Sequence, residues 1–141
     1  MLRESVDVYT AHCTAARDFL KNVVGVRRDI EVVHVGVDCR LFKPISDPID
    51  YLGCENEDLR ILCVARLHKH KGLEYLIKAM KIVIKEVGAK LYILGRGNEG
   101  ENLKMLARQI GVSDYVKFIA KSIPNEKMSH VYSLCDIYVQ P

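Results

Sequence analysis

The sequence predicts an α/β fold: a Rossmann-like, doubly wound parallel sheet preceded by a short strand-helix-strand segment. Three observations carry this. From residue 60 onward, short apolar runs alternate with amphipathic helical stretches in the order β-α-β-α-β-α-β. The first of these runs, Arg60 to Ala65, is almost continuously apolar, as in a strand covered on both faces. Ahead of it, the stretch 44–58 holds Pro44, Pro48, Gly53 and several acids without sustained periodicity, which reads as a linker.

The elements follow in order. Val6 to Ala11 can form a short strand. Thr14 is placed to cap a helix through Arg17, Phe19 and Leu20 to about Val23, ended by Gly25. Ile30 to Val35 is rich in β-branched residues and reads as a strand. Gly36-Val37-Asp38 follows, then Phe42 and Pro44. This divides the chain into residues 1–38, a linker at 39–59, and residues 60–141. In the last part, Leu73, Leu76, Ile77, Met80, Ile84 and Val87 lie on one helical stripe. Lys90 to Leu94 is the next strand. Asn98 is placed as an N-cap with Glu101 completing a capping box, and Leu103, Leu106 and Ile110 face inward until Gly111. Tyr115 to Ala120 is a strand, Asn125 to about Cys135 a helix after Pro124, and Asp136 to Gln140 a strand. An exposed apolar patch is expected beside Ile137 and Val139.

Composition narrows the function. Of 141 residues, 49% are hydrophobic and 28% charged, the profile of a soluble globular chain with a real core. The net charge is +3 and the cations are dispersed, so nucleic acid is not an indicated partner. Small anions are compatible with it. The five cysteines form no C-x-x-C pair, which suits a reduced, cytoplasmic protein. The sequence contains no apolar run of membrane-spanning length, and its first residues lack a signal-peptide core.

In parallel α/β sheets, ligands bind outside the carboxyl ends of the strands. That rule selects three loops: Arg66–Gly72, Gly95–Asn98 and Lys121–Pro124. The first holds Arg66, His68, Lys69, His70 and Lys71 in one short span. A polyanion would relieve their mutual repulsion. Arg66 could chelate a diphosphate bidentately and Lys71 could act as a point charge, while the Gly72 backbone and the helix start add partial positive charge. Each close charge pair contributes about 4 kcal/mol before desolvation, at an effective dielectric of about 20. The competing reading is a solvated basic loop. Gly95-Arg96-Gly97-Asn98 lets the main chain pass near a ligand, or is an ordinary strand-to-helix turn. Lys121-Ser122-Ile123-Pro124 offers amides and a hydroxyl that could read a base edge, or is purely structural.

Other constellations are weaker. His12-Cys13 and His68-x-His70 lack further ligands at metal-binding spacing, so no metal site is expected. No Ser–His–Asp or Cys–His arrangement is suggested. Phe42 reads as a hydrophobic plug, and Tyr92, Tyr132 and Tyr138 as core or helix-surface aromatics.

From about Asp7 to Pro141 the chain resembles the retaining glycosyltransferases of family 4, which have the GT-B fold of two Rossmann-like domains facing across a cleft. Gly36-Val37-Asp38 with Phe42 and Pro44 is similar to that family's interdomain signature. Arg66-Leu67 with Lys71-Gly72 resembles its donor-phosphate motif, and Leu94-Gly95-Arg96-Gly97 its next donor-side loop. Phe118, the Ser122–Asn125 turn and the run Tyr132 to Pro141 resemble the approach to its acidic motif. Val35 departs from the family's usual Asn, Ala65 and Ala120 from a common Gly, and His12 from a frequent Ser.

The resemblance implies a role for each matched residue. Residues 1–38 would end an acceptor-side domain, and 60–141 would be the first half of a donor-binding domain. Arg66, Lys71 and Gly72 would bind the diphosphate of a UDP- or GDP-sugar. Gly95 and Gly97 would line the donor cleft, and Ala120, Lys121 and Ser122 would meet the nucleobase. The sugar would pass to an acceptor hydroxyl with retention of configuration and without a cofactor. The family's paired glutamates would follow Pro141, so no catalytic residue is expected within this chain, which by itself would be an inactive fragment. The acceptor would be a glycan or a lipid-linked molecule, with peripheral membrane association possible for a full-length protein. Two other readings stand beside this one: a non-catalytic nucleotide-binding or interaction module, and another GT-B enzyme such as a nucleotide-sugar epimerase.

Overall fold

A computed structural model describes residues 7–54 and 59–141. The described chain forms two compact units, one up to Cys39 and one from Arg40 to Pro141.

The first unit is a β-α-β segment. Strand β1 (Tyr9–Ala11) pairs in parallel with β2 (Ile30–Val32), and helix α1 (Thr14–Asn22) connects them. Ala11 and Ile30 are buried, whereas Phe19 on α1 is 56% exposed. The helix begins differently from the sequence expectation. Cys13, not Thr14, is the N-cap, and its Sγ accepts the Ala16 N–H at 3.4 Å. Thr14 is instead the first helical residue.

The second unit holds a four-stranded parallel sheet in the order β5-β4-β3-β6. Its strands are β3 (Leu59–Val64), β4 (Ala89–Leu94), β5 (Val116–Ile119) and β6 (Ile137–Tyr138). Helices α2 (Leu73–Glu86), α3 (Gly100–Gln109) and α4 (Met128–Ser133) alternate with them. The alternating α/β order and the parallel sheet therefore agree with the sequence.

Continuous apolar strands are explained by burial on both faces. Ile61, Cys63, Leu91, Ile93 and Val116 pack with Leu73, Ile77 and Met80 of α2 and Leu103 and Ala107 of α3. On the opposite face, Leu62, Tyr92, Leu94 and Ile119 pack with Met128 and Val131 of α4. Full burial of each such aliphatic side chain is worth about 1.5–3 kcal/mol, so both helical layers are needed to hold the sheet. The α2 stripe is buried at Leu73, Leu76, Ile77 and Met80, but Val87 is 45% exposed because it lies past the helix end. Ile137 is 47% exposed, as expected of the patch near β6, whereas Val139 packs against the first core cluster.

Residues 40–54 contain no helix or strand, but they lie against the sheet unit. Leu52 is 2% exposed within the second core cluster. Polar contacts fasten the segment to α4. The Ser129 hydroxyl donates to the Leu41 carbonyl, Ile45 N–H donates to Ser133 Oγ at 3.0 Å, and Ile49 N–H donates to His130 Nδ1 at 3.1 Å. Asp50 accepts from the amides of Leu52, Gly53 and Cys54, which turns the chain inward.

The start of α3 corrects another expectation. The N-cap is Glu99 rather than Asn98, and no side chain closes a capping box. Glu101 instead binds Lys104 Nζ at 2.8 Å, and this ammonium holds its carboxylate below the ordinary range. The Glu99 N–H is taken by the Leu67 carbonyl at 3.0 Å, so the helix is anchored by the neighbouring loop.

Candidate functional site

The strand order defines the site. The chain runs outward from β3 through β4 to β5, then returns to the other side of β3 as β6. The crevice of such a sheet lies at the carboxyl ends of its strands. Three loops meet there, after β3, β4 and β5.

Two of these loops are zipped together by main-chain bonds. Ala65 N–H donates to the Leu94 carbonyl at 3.1 Å, and Leu67 N–H to the Arg96 carbonyl at 2.9 Å. Glycine is required for this approach. A Cβ on Gly97 would stand 2.3 Å from the Leu67 carbonyl oxygen. The third loop joins through Arg96, whose Nε donates to the Ala120 carbonyl at 2.7 Å.

The loops border an open hollow of about 390 Å³, lined by Val64, Ala65, Arg66, Leu94, Gly95, Arg96, Lys121, Ser122, Ile123 and Met128. Val64, Leu94, Ile123 and Met128 give the lining apolar side chains, and Arg66, Arg96 and Lys121 give it cations, with no carboxylate among the lining residues. Such a hollow suits a ligand with a flat, partly apolar portion and an anionic portion. Among the described residues, neither Arg66 nor Lys71 has a carboxylate partner.

The cavity therefore brings together Arg66, Gly95, Lys121 and Ser122. It does not bring in Gly97, which lies against the Leu67 main chain, or Ala120, whose carbonyl holds Arg96. Lys71 and Gly72 also lie outside the lining. Lys71 ends a 3-10 turn over Lys69–Lys71, and Gly72 adopts φ +66°, a left-handed conformation that favours glycine. A Cβ there would be 3.6 Å from Pro141, so the turn stands beside the segment that follows β6. Sequence reasoning did not single out Arg96, although its place between two glycines of a rim loop was the available signal. Met128 was likewise missed, because a lining apolar residue looks like any core residue, whereas Ile123 stands in the Lys121–Pro124 loop that the sequence selects.

A second hollow, of about 360 Å³, lies between the 40–54 segment and α4. Phe42, Lys43, Pro44, Ser129, Tyr132 and Ser133 line it. With one cation and largely apolar walls, it is less suited to a diphosphate. Among the described residues no cluster of His, Cys, Asp and Glu could hold a metal ion. No helix among them is long and apolar enough to cross a membrane.

The family model described as "Glycosyl transferases group 1" matches residues 50–141, a span that contains all three rim loops. The chain belongs to the group 1 glycosyl transferases. This glycosyl transferase chain is 29% identical over 144 aligned residues to the GDP-mannose-dependent alpha-(1-6)-phosphatidylinositol monomannoside mannosyltransferase of Mycobacterium tuberculosis, covering 98% of this chain and 37% of that protein. It is 34% identical over 90 residues to an uncharacterised glycosyltransferase of Methanocaldococcus jannaschii, covering 64% of this chain and 23% of that one. The chain thus spans well under half the length of these relatives. In fold, it is similar to the sucrose-phosphate synthase of Thermosynechococcus elongatus, with a TM-score of 0.84 at 22% identity over 99% of this chain and 36% of that one.

Proposed function

We propose that the rim cavity binds the nucleotide-diphosphate part of a sugar donor, and that the whole protein transfers the sugar to an acceptor hydroxyl with retention of configuration. The observation that carries this reading is the convergence of Arg66, Arg96 and Lys121 on one hollow at the carboxyl ends of a parallel sheet, in a chain of this family. Its volume falls within the range of about 300–1,000 Å³ usual for small-molecule sites.

Each part of the donor has a counterpart. The base would lie toward Lys121, Ser122 and Ile123, with backbone groups of 121–122 meeting its edge. The diphosphate would extend over Arg66 toward the Lys71–Gly72 turn at the start of α2. There the guanidinium and the ammonium would stabilise negative charge developing on the leaving diphosphate as the glycosidic bond breaks. Such a contribution is electrostatic and preorganised, because the loop is already fastened to its neighbour. Apart from this electrostatic support of the leaving group, the part of this chain is donor binding.

In this reading, residues 1–38 belong to an acceptor-side domain, 39–59 connect it, and 60–141 belong to the donor domain of a retaining family 4 enzyme acting in the cytoplasm. The name of the mycobacterial relative supports a GDP-sugar donor and a lipid-linked acceptor. Peripheral membrane association of a full-length protein would follow from such an acceptor.

Amide chemical-shift mapping during titration with UDP and GDP tests the site. Shifts at Arg66, Gly95, Arg96, Lys121 and Ser122 support it. Shifts confined to Phe42, Tyr132 and Ser133, or none at all, contradict it.

A further inference from the structure

One residue joins all three rim loops. The Arg96 carbonyl accepts the Leu67 N–H at 2.9 Å, which ties it to the loop after β3. Its guanidinium Nε donates to the Ala120 carbonyl at 2.7 Å, which ties it to the loop after β5, 24 residues away in sequence. The flanking glycines hold its own backbone close to Ala65 and Leu67. The side chain also lines the cavity. A charge-assisted bond of this length is at the short end of its class, and the planar guanidinium transmits position better than a flexible ammonium would.

We infer that Arg96 is a positioning residue that sets the separation between the phosphate-side loop and the base-side loop, and thereby controls which nucleobase the site accepts. This rests on the donor-site reading. Hydrogen bonds to a base edge require the 121–122 backbone, which follows the tethered Ala120, at a fixed distance, and mismatched polar groups there are penalised. Binding of the diphosphate by Arg66 and Lys71 does not depend on where that backbone stands. Loss of the Arg96 tether therefore affects base discrimination more than phosphate affinity.

The test uses the 141-residue chain with Arg96→Met, which keeps an unbranched stem but loses the donor, and Arg96→Lys, which can still donate to the Ala120 carbonyl. Calorimetric titrations are run with UDP, GDP and inorganic pyrophosphate. The wild-type chain should prefer one nucleotide by about tenfold, the scale of one well-made hydrogen bond. In Arg96→Met that ratio should collapse to within about twofold, beyond any uniform weakening of all three ligands that the loss of one rim cation brings. Arg96→Lys should recover part of the ratio. Unfolding midpoints of both variants are measured alongside. Equal weakening of all three ligands, accompanied by a lowered unfolding midpoint, shows a structural role only and overturns the inference. So does an unchanged base ratio in Arg96→Met, or a wild-type chain that binds UDP and GDP alike. If the wild-type chain binds none of the three ligands, the donor-site reading itself fails, and the inference with it.

Discussion

A Cβ placed on Gly95 would stand 1.9 Å from the carbonyl oxygen of Ala65. The obstacle is main chain, which cannot rotate aside as a side chain can. At Gly97 the same holds against the Leu67 carbonyl. These two glycines let the loops after β3 and β4 touch beside the proposed site. Gly95→Ala or Gly97→Ala should each destabilise the chain by about 1–3 kcal/mol, the usual cost of forcing atoms into a packed position. Gly36→Ala is the control, since a Cβ there would meet nothing within 4 Å. Urea unfolding provides the comparison, and losses no larger than that of Gly36→Ala would contradict the account.

Much of the sheet unit is legible in the sequence for a physical reason. A strand covered by helices on both faces has little room for polar side chains, so β3 and β4 appear as apolar runs. The α2 stripe is readable because Leu73, Leu76, Ile77 and Met80 repeat at helical spacing. The start of α3 is misread because Asn98 and Glu101 have capping-box spacing, while the real partners are Leu67, distant in sequence, and Lys104. The packing of residues 40–54 leaves no periodic trace, since Ser129, Ser133 and His130 bind its main-chain groups rather than its side chains. Position alone identifies the rim loops. The Arg96–Ala120 bond that joins two of them depends on a long-range pairing that no local pattern encodes.

The 40–54 segment leads to a second prediction. Leu52 is 2% exposed and sits in the same cluster as Leu62, Tyr92 and Val131. Leu52→Ala should therefore cost about 2–5 kcal/mol in denaturant unfolding, the range for truncation in a core. A loss below about 0.5 kcal/mol, typical of a surface site, would show that the segment does not pack there.

Thiol chemistry supplies a third. Cys39 is exposed, whereas Cys63 is fully buried on β3 and burial raises its pKa to about 11. In native protein at pH 8, iodoacetamide should modify Cys39 first, while Cys63 reacts only on unfolding. Equal native labelling rates would contradict the burial of β3.

The same thiol makes stability depend on pH. Its ordinary value is 9.0, so as pH rises from about 9 to about 11 it ionises in the unfolded chain while it stays neutral in the folded one. The unfolded state is favoured progressively across that window. Stability should fall less steeply there for Cys63→Ala than for wild type, as followed by urea unfolding at several pH values. Parallel slopes would contradict the assigned shift.

Nucleotide diphosphate titration of charge variants tests the central claim most directly. UDP and GDP are titrated into the wild-type chain, Arg66→Ala and Lys71→Ala. Each substitution should weaken binding by about 1–3 kcal/mol, the scale of hydrogen bonds to charged groups. Affinity unchanged in both variants would contradict a diphosphate site at the end of β3.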